Sequence, residues 1–176
     1  MSIRTVLFSI MLALGCGTIS HPQTPHPQTG VYHATLGSNA DHPICEAALR
    51  QFVVPGEVTF VHFWASWCTA CAVVSEHIQQ RFADQIRIVY LDLGDPRNAS
   101  EDIMQLCGHK GLPIDIVYSR TGRMILNASP YKIVRNRSIV QSYDPQQPEG
   151  IIEYITFLDA VVTKLLKLPP SPHRLK

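Results

Sequence analysis

The stretch FVHFWASWCTACAVV, residues 60 to 74, constrains the fold more than any other part of the chain. Val58 to Trp64 is β-branched and aromatic, with His62 its only strongly polar interruption, so a strand covered on both faces is expected there. From Thr69 to Phe82 the spacing turns helical, with Val73, Val74, His77 and Ile78 as the predicted inner stripe. Cys68 and Cys71 therefore stand where a buried strand gives way to a helix. Unpaired backbone N–H groups and the positive end of the helix dipole meet at such a junction, and both favour a thiolate on the first cysteine. The second, one turn inward, is shielded and positioned to attack a mixed disulfide formed on the first. Half a zinc site and an inert clip are the competing readings. A closed zinc site needs two further ligands, and Cys45 and Cys107 lack His or Cys partners at finger spacing, so no metal is expected. A clip fits poorly with a three-residue spacing at a helix start, where cysteines are reactive.

The rest of the chain supplies one domain around this junction. With 176 residues, 45% of them hydrophobic, there is enough apolar material for a single ordinary core. Asp41 is a good N-cap for a helix carrying Ile44, Cys45, Ala48, Leu49 and Phe52. IRIVYLDL, residues 86 to 93, is a second strand, and Ser100 caps a short helix reaching Leu106 or Cys107. GLPIDIVYSRTGRMIL, residues 111 to 126, predicts a strand behind a proline, a glycine-containing turn and a returning strand. Residues 128 to 148, broken by Pro130, Pro145 and Pro148, are expected to be irregular. Glu149 to Leu168 is a strongly amphipathic helix, with Ile151, Ile152, Ile155, Leu158, Val162, Leu165 and Leu166 recurring at helical intervals. This order predicts an α/β fold: a central mixed β-sheet flanked by helices on both faces. The boundaries are a domain over 41–168 and a tail over 169–176.

The beginning of the chain reads differently. MSIRTVLFSIMLALGCG places Arg4 before an apolar run too short to span a bilayer as a folded helix but suited to an export signal, residues 1–16. Ala13-Leu14-Gly15-Cys16 resembles a bacterial lipobox, although Ala13 stands where a larger apolar residue is usual. The resemblance implies lipidation of Cys16 and a membrane tether; the plain alternative is cleavage near Gly15 or Gly17. HPQTPHPQT follows, a near-tandem of His-Pro-Gln-Thr, and residues 17–40 are read as an extended spacer. Export would place the chain in the periplasm or on the extracytoplasmic face, where disulfides persist. A formal net charge of +1 without basic runs excludes an electrostatic footprint for nucleic acid.

FWASWCTAC and the downstream GLPI together resemble the thioredoxin superfamily, over roughly residues 41 to 168. The resemblance implies the thioredoxin fold, Cys68 as nucleophile, Cys71 as resolving thiol, a cis Pro113 beside Cys68, and a Leu112 backbone that pairs with an incoming peptide. Trp67, next to the nucleophile, joins that docking surface. Thr69-Ala70 with GLP is most similar to the C-terminal, exported thioredoxin-like domain of the DsbD electron carrier, and WASWC is shared with exported thioredoxin-like proteins of cytochrome c maturation. These parallels imply an exported Dsb-type reductase of disulfide-containing exported proteins, resupplied by a DsbD-type membrane donor and needing no cofactor. An isomerase, an oxidase, a reductant of apocytochrome c and a non-catalytic binding module are the alternatives. Neither charge nor histidine adjoins Cys68 at positions 69 and 70, which argues for a potential nearer roughly −270 than −120 mV. Cys45 and Cys107 are either a second disulfide or two buried thiols. Six positions before the nucleophile the family often carries a buried acid. Here it is His62, either a proton acceptor for Cys71 or a neutral core histidine bonded to backbone.

Overall fold

The computed structural model describes residues 29–35, 49–94, 108–109, 111–135 and 138–169. Seven strands form one sheet: β1 (Gly30–Thr35), β2 (Thr59–Trp64), β3 (Arg87–Asp92), β4 (Ile114–Tyr118), β5 (Met124–Ser129), β6 (Lys132–Arg135) and β7 (Ser138–Gln141). Their spatial order is β1-β3-β2-β4-β5-β6-β7. β1 and β2 pair parallel to β3, while β4 to β7 continue the sheet antiparallel. Among the described residues the long helices are α1 (Thr69–Phe82) and α2 (Pro148–Lys167). The 1-3-2-4-5 order, with the strand–helix junction at the end of the second strand, is the thioredoxin fold.

Strand β2 forms where the apolar run predicts it, and Thr59 to Phe63 are all buried. Alternation along it divides the core. Phe60 faces a cluster with Val74 and Ile78 of α1, Ile88 and Tyr90 of β3, and Tyr154, Ile155 and Leu158 of α2. Val61 and Phe63 face a second cluster holding Cys68, Cys71, Leu112, Ile114, Ile116 and Leu49. Both long helices thus cover one face. Leu49 and a 3-10 turn at Arg50–Phe52 belong to the other. Most of the helix expected from Asp41, and all of the one expected from Ser100, lie outside the described residues. So do Cys16, Cys45, Cys107 and the export signal. The 119–122 turn is closed by the Gly122 amide donating to the Ser119 carbonyl at 2.8 Å, and Gly122 takes a positive φ of 74° that its lack of a Cβ permits.

Three expectations are corrected. The spacer read over 17–40 is too long: Gly30–Thr35 is an edge strand in register with Arg87–Asp92. Val31 and Tyr32 supply the apolar and aromatic side chains that the His-Pro-Gln-Thr tandem lacks, and the Tyr32 ring lies under the Arg87 guanidinium at 3.7 Å. Residues 128–148 are not irregular throughout, since β6 and β7 extend the sheet by two strands. Pro130 does not break the pattern because it sits in the two-residue turn of a hairpin, where no ladder N–H is required. The inner stripe of α1 is Cys71, Val74, Ile78 and Phe82, leaving Val73 exposed and His77 partly exposed beside Asp159. The helix is rotated about one residue from the expected stripe, which turns the second cysteine inward. On α2, Ile152 likewise faces outward.

Candidate active site: a helix-capping dithiol and a buried polar triad

Register brings the site's parts together. Trp64 ends β2, Phe63 pairs with Ile114 at the start of β4, and Pro113 immediately precedes that residue. The β2–α1 junction and the Leu112–Pro113 peptide, which is cis, therefore lie side by side at one end of the sheet. Cys68 is the N-cap of α1, in extended conformation, and its sulfur accepts a hydrogen bond from the Cys71 amide at 3.2 Å. That bond satisfies one of the amides a helix start leaves unpaired. Cys68 and Cys71 are joined, with S–S 2.04 Å and Cα–Cα 5.2 Å. Cys68 retains 8% exposure and Cys71 none, so the helix-capping residue reaches solvent and the other is shielded. A nucleophile followed by a resolving thiol needs that asymmetry.

Two exposed aromatic rings adjoin the two segments that meet here. Trp67 is 46% exposed, and its indole N–H donates to the Gly94 carbonyl at 2.9 Å, fixing the ring beyond the end of β3. It is less a core aromatic than a surface one. Tyr131, in the β5–β6 turn, is also 46% exposed and lies over Gly111, two residues before Pro113. A Cβ at Gly111 would come within 2.7 Å of the Tyr131 ring. The Lys132 ammonium donates to the Gly108 carbonyl at 3.0 Å, so the hairpin holds the segment leading to the cis proline at two points. Between them is His109, buried, its Nε2 donating to the Asn127 side-chain oxygen at 2.7 Å, and kept below the usual histidine pKa chiefly by burial. Tyr131, Lys132 and His109 were not singled out in the sequence; Tyr131 was hidden inside a stretch read as irregular.

Beneath the helix, His62 is fully buried and does not bond to backbone. Its Nδ1 is 2.6 Å from Oδ1 of Asp115, its antiparallel partner on β4, and Asp115 is likewise fully buried. Oδ2 of the same carboxylate accepts from the Tyr154 hydroxyl of α2 at 2.6 Å. Tyr90, paired with His62 across β3, sets its ring edge-on to the imidazole with centroids 5.6 Å apart, and its hydroxyl donates to the Ser75 carbonyl at 3.1 Å. Burial, reinforced by the Asp115 charge, pushes Tyr90 up to about 12 and Tyr154 well above the ordinary tyrosine value. Both remain hydroxyl donors at neutral pH. Asp115 and Tyr154 went unnoticed in the sequence, because an acid two residues after a proline and a tyrosine on an amphipathic helix carry no pattern of their own. Among the described residues no cluster of His, Cys, Asp and Glu could hold a metal ion.

No family model matches the chain, and no curated protein matches it. Solved structures of thioredoxins do. A reduced thioredoxin pre-protein from Schistosoma mansoni is 14% identical, covering 77% of this chain and 98% of its own, with a TM-score of 0.42. A thioredoxin from Malassezia sympodialis is 16% identical over 83% of this chain and 99% of its own, at 0.43. A mutant thioredoxin from Halobacterium salinarum is 13% identical over 82% of this chain and 99% of its own, at 0.48. The fold rests on the strand order and register given above. With a Cys-x-x-Cys pair at disulfide distance at the head of α1, it supports thiol–disulfide oxidoreductase chemistry.

Proposed function

We propose that this chain is an exported thiol–disulfide reductase acting on protein disulfides. The observation that carries the reading is the asymmetric pair: a helix-capping Cys68 that is partly accessible and a Cys71 that is closed to solvent. In the reduced protein the Cys68 thiolate attacks a substrate disulfide, and one substrate sulfur leaves. Cys71 then attacks Cys68, the bond to the second substrate sulfur breaks, and the Cys68–Cys71 disulfide forms. Cys68 is the catalytic nucleophile and Cys71 the resolving thiol. The cis-proline segment, with Leu112 and Pro113, and the exposed Trp67 provide the surface against which a substrate polypeptide lies. No cofactor is required, because two thiols supply the two electrons.

A reductase in an oxidising compartment consumes its own reduced form with every turnover. A DsbD-type membrane protein is the proposed source of electrons. A lipid on Cys16 joined to the domain by a polar segment would raise the effective concentration near that donor. The exported, periplasmic setting rests on the apolar N-terminus and the lipobox resemblance.

Insulin reduction by the wild-type protein, with Cys68→Ser as control, tests the reading. Catalysed precipitation of the insulin B chain that disappears in the variant is expected. A wild type without activity in the presence of a chemical reductant would instead favour a binding module whose cysteines are structural. A measured potential near that of strong oxidants, about −120 mV, would overturn the direction of electron flow while leaving the dithiol chemistry intact.

A further inference from the structure

A groove of about 700 Å3 runs between α1 and the β1 edge of the sheet, and nothing in the dithiol chemistry uses it. One wall is a stripe of α1 and its C-cap, from Ala72 through Ser75 and Gln79 to Ala83, which at about 1.5 Å per residue is about 17 Å long. The floor is aromatic. Tyr90 of β3, Trp64 at the end of β2 and the exposed His33 of β1 form it, and the His33 ring stacks on Tyr90 with centroids 5.1 Å apart. Two buried atoms of these lining residues, the indole Nε1 of Trp64 and the Oγ of Ser75, have no hydrogen-bond partner. An indole N–H can only donate, so an occupant of the groove must bring an acceptor to it.

The segment that connectivity brings to the groove has that chemistry. β1 begins at Gly30, whose amide donates to the Ile86 carbonyl at 3.2 Å, just beyond the Ala83 end of the helix stripe. The residues before it, His21 to Gln28, read HPQTPHPQ and lie outside the described residues. Pro22 and Pro25 form a P-x-x-P pair, one turn apart in a polyproline II helix. Such a helix makes no internal hydrogen bonds, so its carbonyls are free acceptors, and its prolines have no N–H to leave unmet against an aromatic floor. Proline-rich segments dock in aromatic-lined grooves for these reasons. At about 3.1 Å per residue, His21 to Gln28 spans about 25 Å, enough to turn back at Thr29 and cover the whole length of the groove. Charge agrees, since the segment carries two histidines and no acid, and the charged side chain among the described lining residues is Glu76.

We propose that the chain's own His21–Gln28 segment docks in this groove in polyproline II conformation, antiparallel to β1, with one of its carbonyls accepting from the Trp64 indole. Docking requires no redox chemistry and goes beyond the reductase reading. The Gly30 end is fixed at the Ala83 side, so the upstream chain leaves at the Trp64 side, the end of the sheet that carries Cys68 and the cis proline. On the export reading, docking takes about 25 Å out of the reach of the tether and makes it depart beside the dithiol.

Photocrosslinking in the full chain, solubilised in detergent, tests this. With p-benzoylphenylalanine in place of Gln79, an exposed groove residue, irradiation should join position 79 to residues 21–28 of the same molecule. Mass spectrometry of mixed isotope-labelled and unlabelled chains separates links within one molecule from links between two. Pro22→Gly, Pro25→Gly and Pro27→Gly together should lower the yield at least about fivefold, because glycine abolishes the bias toward the extended helix. In nitrogen-15 NMR the same three substitutions should move the Trp64 indole proton upfield as its hydrogen bond is lost, with Trp67→Phe used to assign the resonance. Links between different molecules would give the groove to a second copy and overturn the proposal. So would links only to other segments, no link at all, or a yield and an indole resonance that the three substitutions leave unchanged. The crosslink forms or fails without substrate, so an absence of insulin reduction would overturn the reductase reading and leave docking standing.

Discussion

Tyr154→Phe removes one oxygen from the interior and nothing from its packing, which makes its cost calculable. In the wild type the hydroxyl donates to Asp115 Oδ2 at 2.6 Å, with both side chains fully buried. A hydrogen bond to a charged group contributes about 1.5–3 kcal/mol, and its loss leaves a buried carboxylate oxygen with no donor, so about 2 kcal/mol of destabilisation is expected at pH 7. In urea, with a slope near 1–3 kcal/mol/M, the midpoint should fall by about 1 M. The pH dependence adds a second, independent number. Burial, then the Asp115 charge, holds the Tyr154 pKa well above the unfolded value of 10.0. A pKa raised on folding means the native state keeps its proton after the unfolded chain has lost it. The stability from this hydroxyl is therefore complete below pH 10 and drains away as pH rises toward the folded pKa, by about 1.4 kcal/mol at pH 11. The phenylalanine variant has no such proton, so the gap between the two proteins should shrink to well under 1 kcal/mol at that pH, while the contributions of Tyr90 and Tyr143 cancel in the difference. Paired urea titrations of the oxidised proteins at pH 7 and pH 11 check both values. A gap unchanged between the two pH values would refute the assignment of Tyr154 as a neutral donor to a charged carboxylate.

Other perturbations probe other parts of the argument. Gly111→Ala should expel the Tyr131 ring and lower stability by about 1–3 kcal/mol, and Gly111→Ala combined with Tyr131→Ala should recover most of that loss, as a double-mutant cycle in thermal unfolding would record. Gly150→Ala, which improves helix propensity by about 1 kcal/mol in isolation, should instead destabilise α2, because the new methyl would fall on the Asp144 carbonyl; a raised melting temperature would contradict the close approach. The buried His109 has its pKa lowered by folding, so the stability it brings is present above about pH 6.5 and lost as pH falls through the folded value. His109→Gln should flatten the acid limb of a stability–pH curve. Arg120→Ala removes donations to the Leu166 and Leu168 carbonyls at 3.4 and 2.6 Å and should expose the end of α2 to faster amide exchange, at a cost of about 1 kcal/mol.

Local chemistry was legible where one strong pattern acted alone. The apolar run before Cys68 could only be a buried strand, and cysteine spacing at its exit marked the reactive junction without reference to any partner. Helix phase was less legible. Val73 and His77 sit beside the true stripe, and a moderately amphipathic helix admits either rotation until Cys71 is packed against Leu112 and Phe63. The β6–β7 extension was missed because the prolines on either side of it and its own polar residues resemble loop composition; only pairing of β6 with β5 and of β7 with β6 gives those backbone groups their bonds. Most opaque was Asp115. Its role depends on a histidine 53 positions earlier and a tyrosine 39 positions later, and such a contact is a property of the sheet register rather than of any segment.

The sulfur of Cys68 is both the reacting atom and the cap of α1, and one atom with two employments links them thermodynamically. Whatever the Cys71 amide contributes to holding a thiolate, the thiolate must return to the helix start, since coupling is reciprocal. A thiolate is a stronger acceptor than a sulfur already sharing electrons in a disulfide, so a Cys68 thiolate holds the Cys71 amide more strongly even as the covalent link across the same turn is lost. Electron uptake thereby exchanges a covalent tie across the first turn for a stronger hydrogen bond at one amide, an exchange that amide hydrogen exchange at Cys71 can read before any substrate is present.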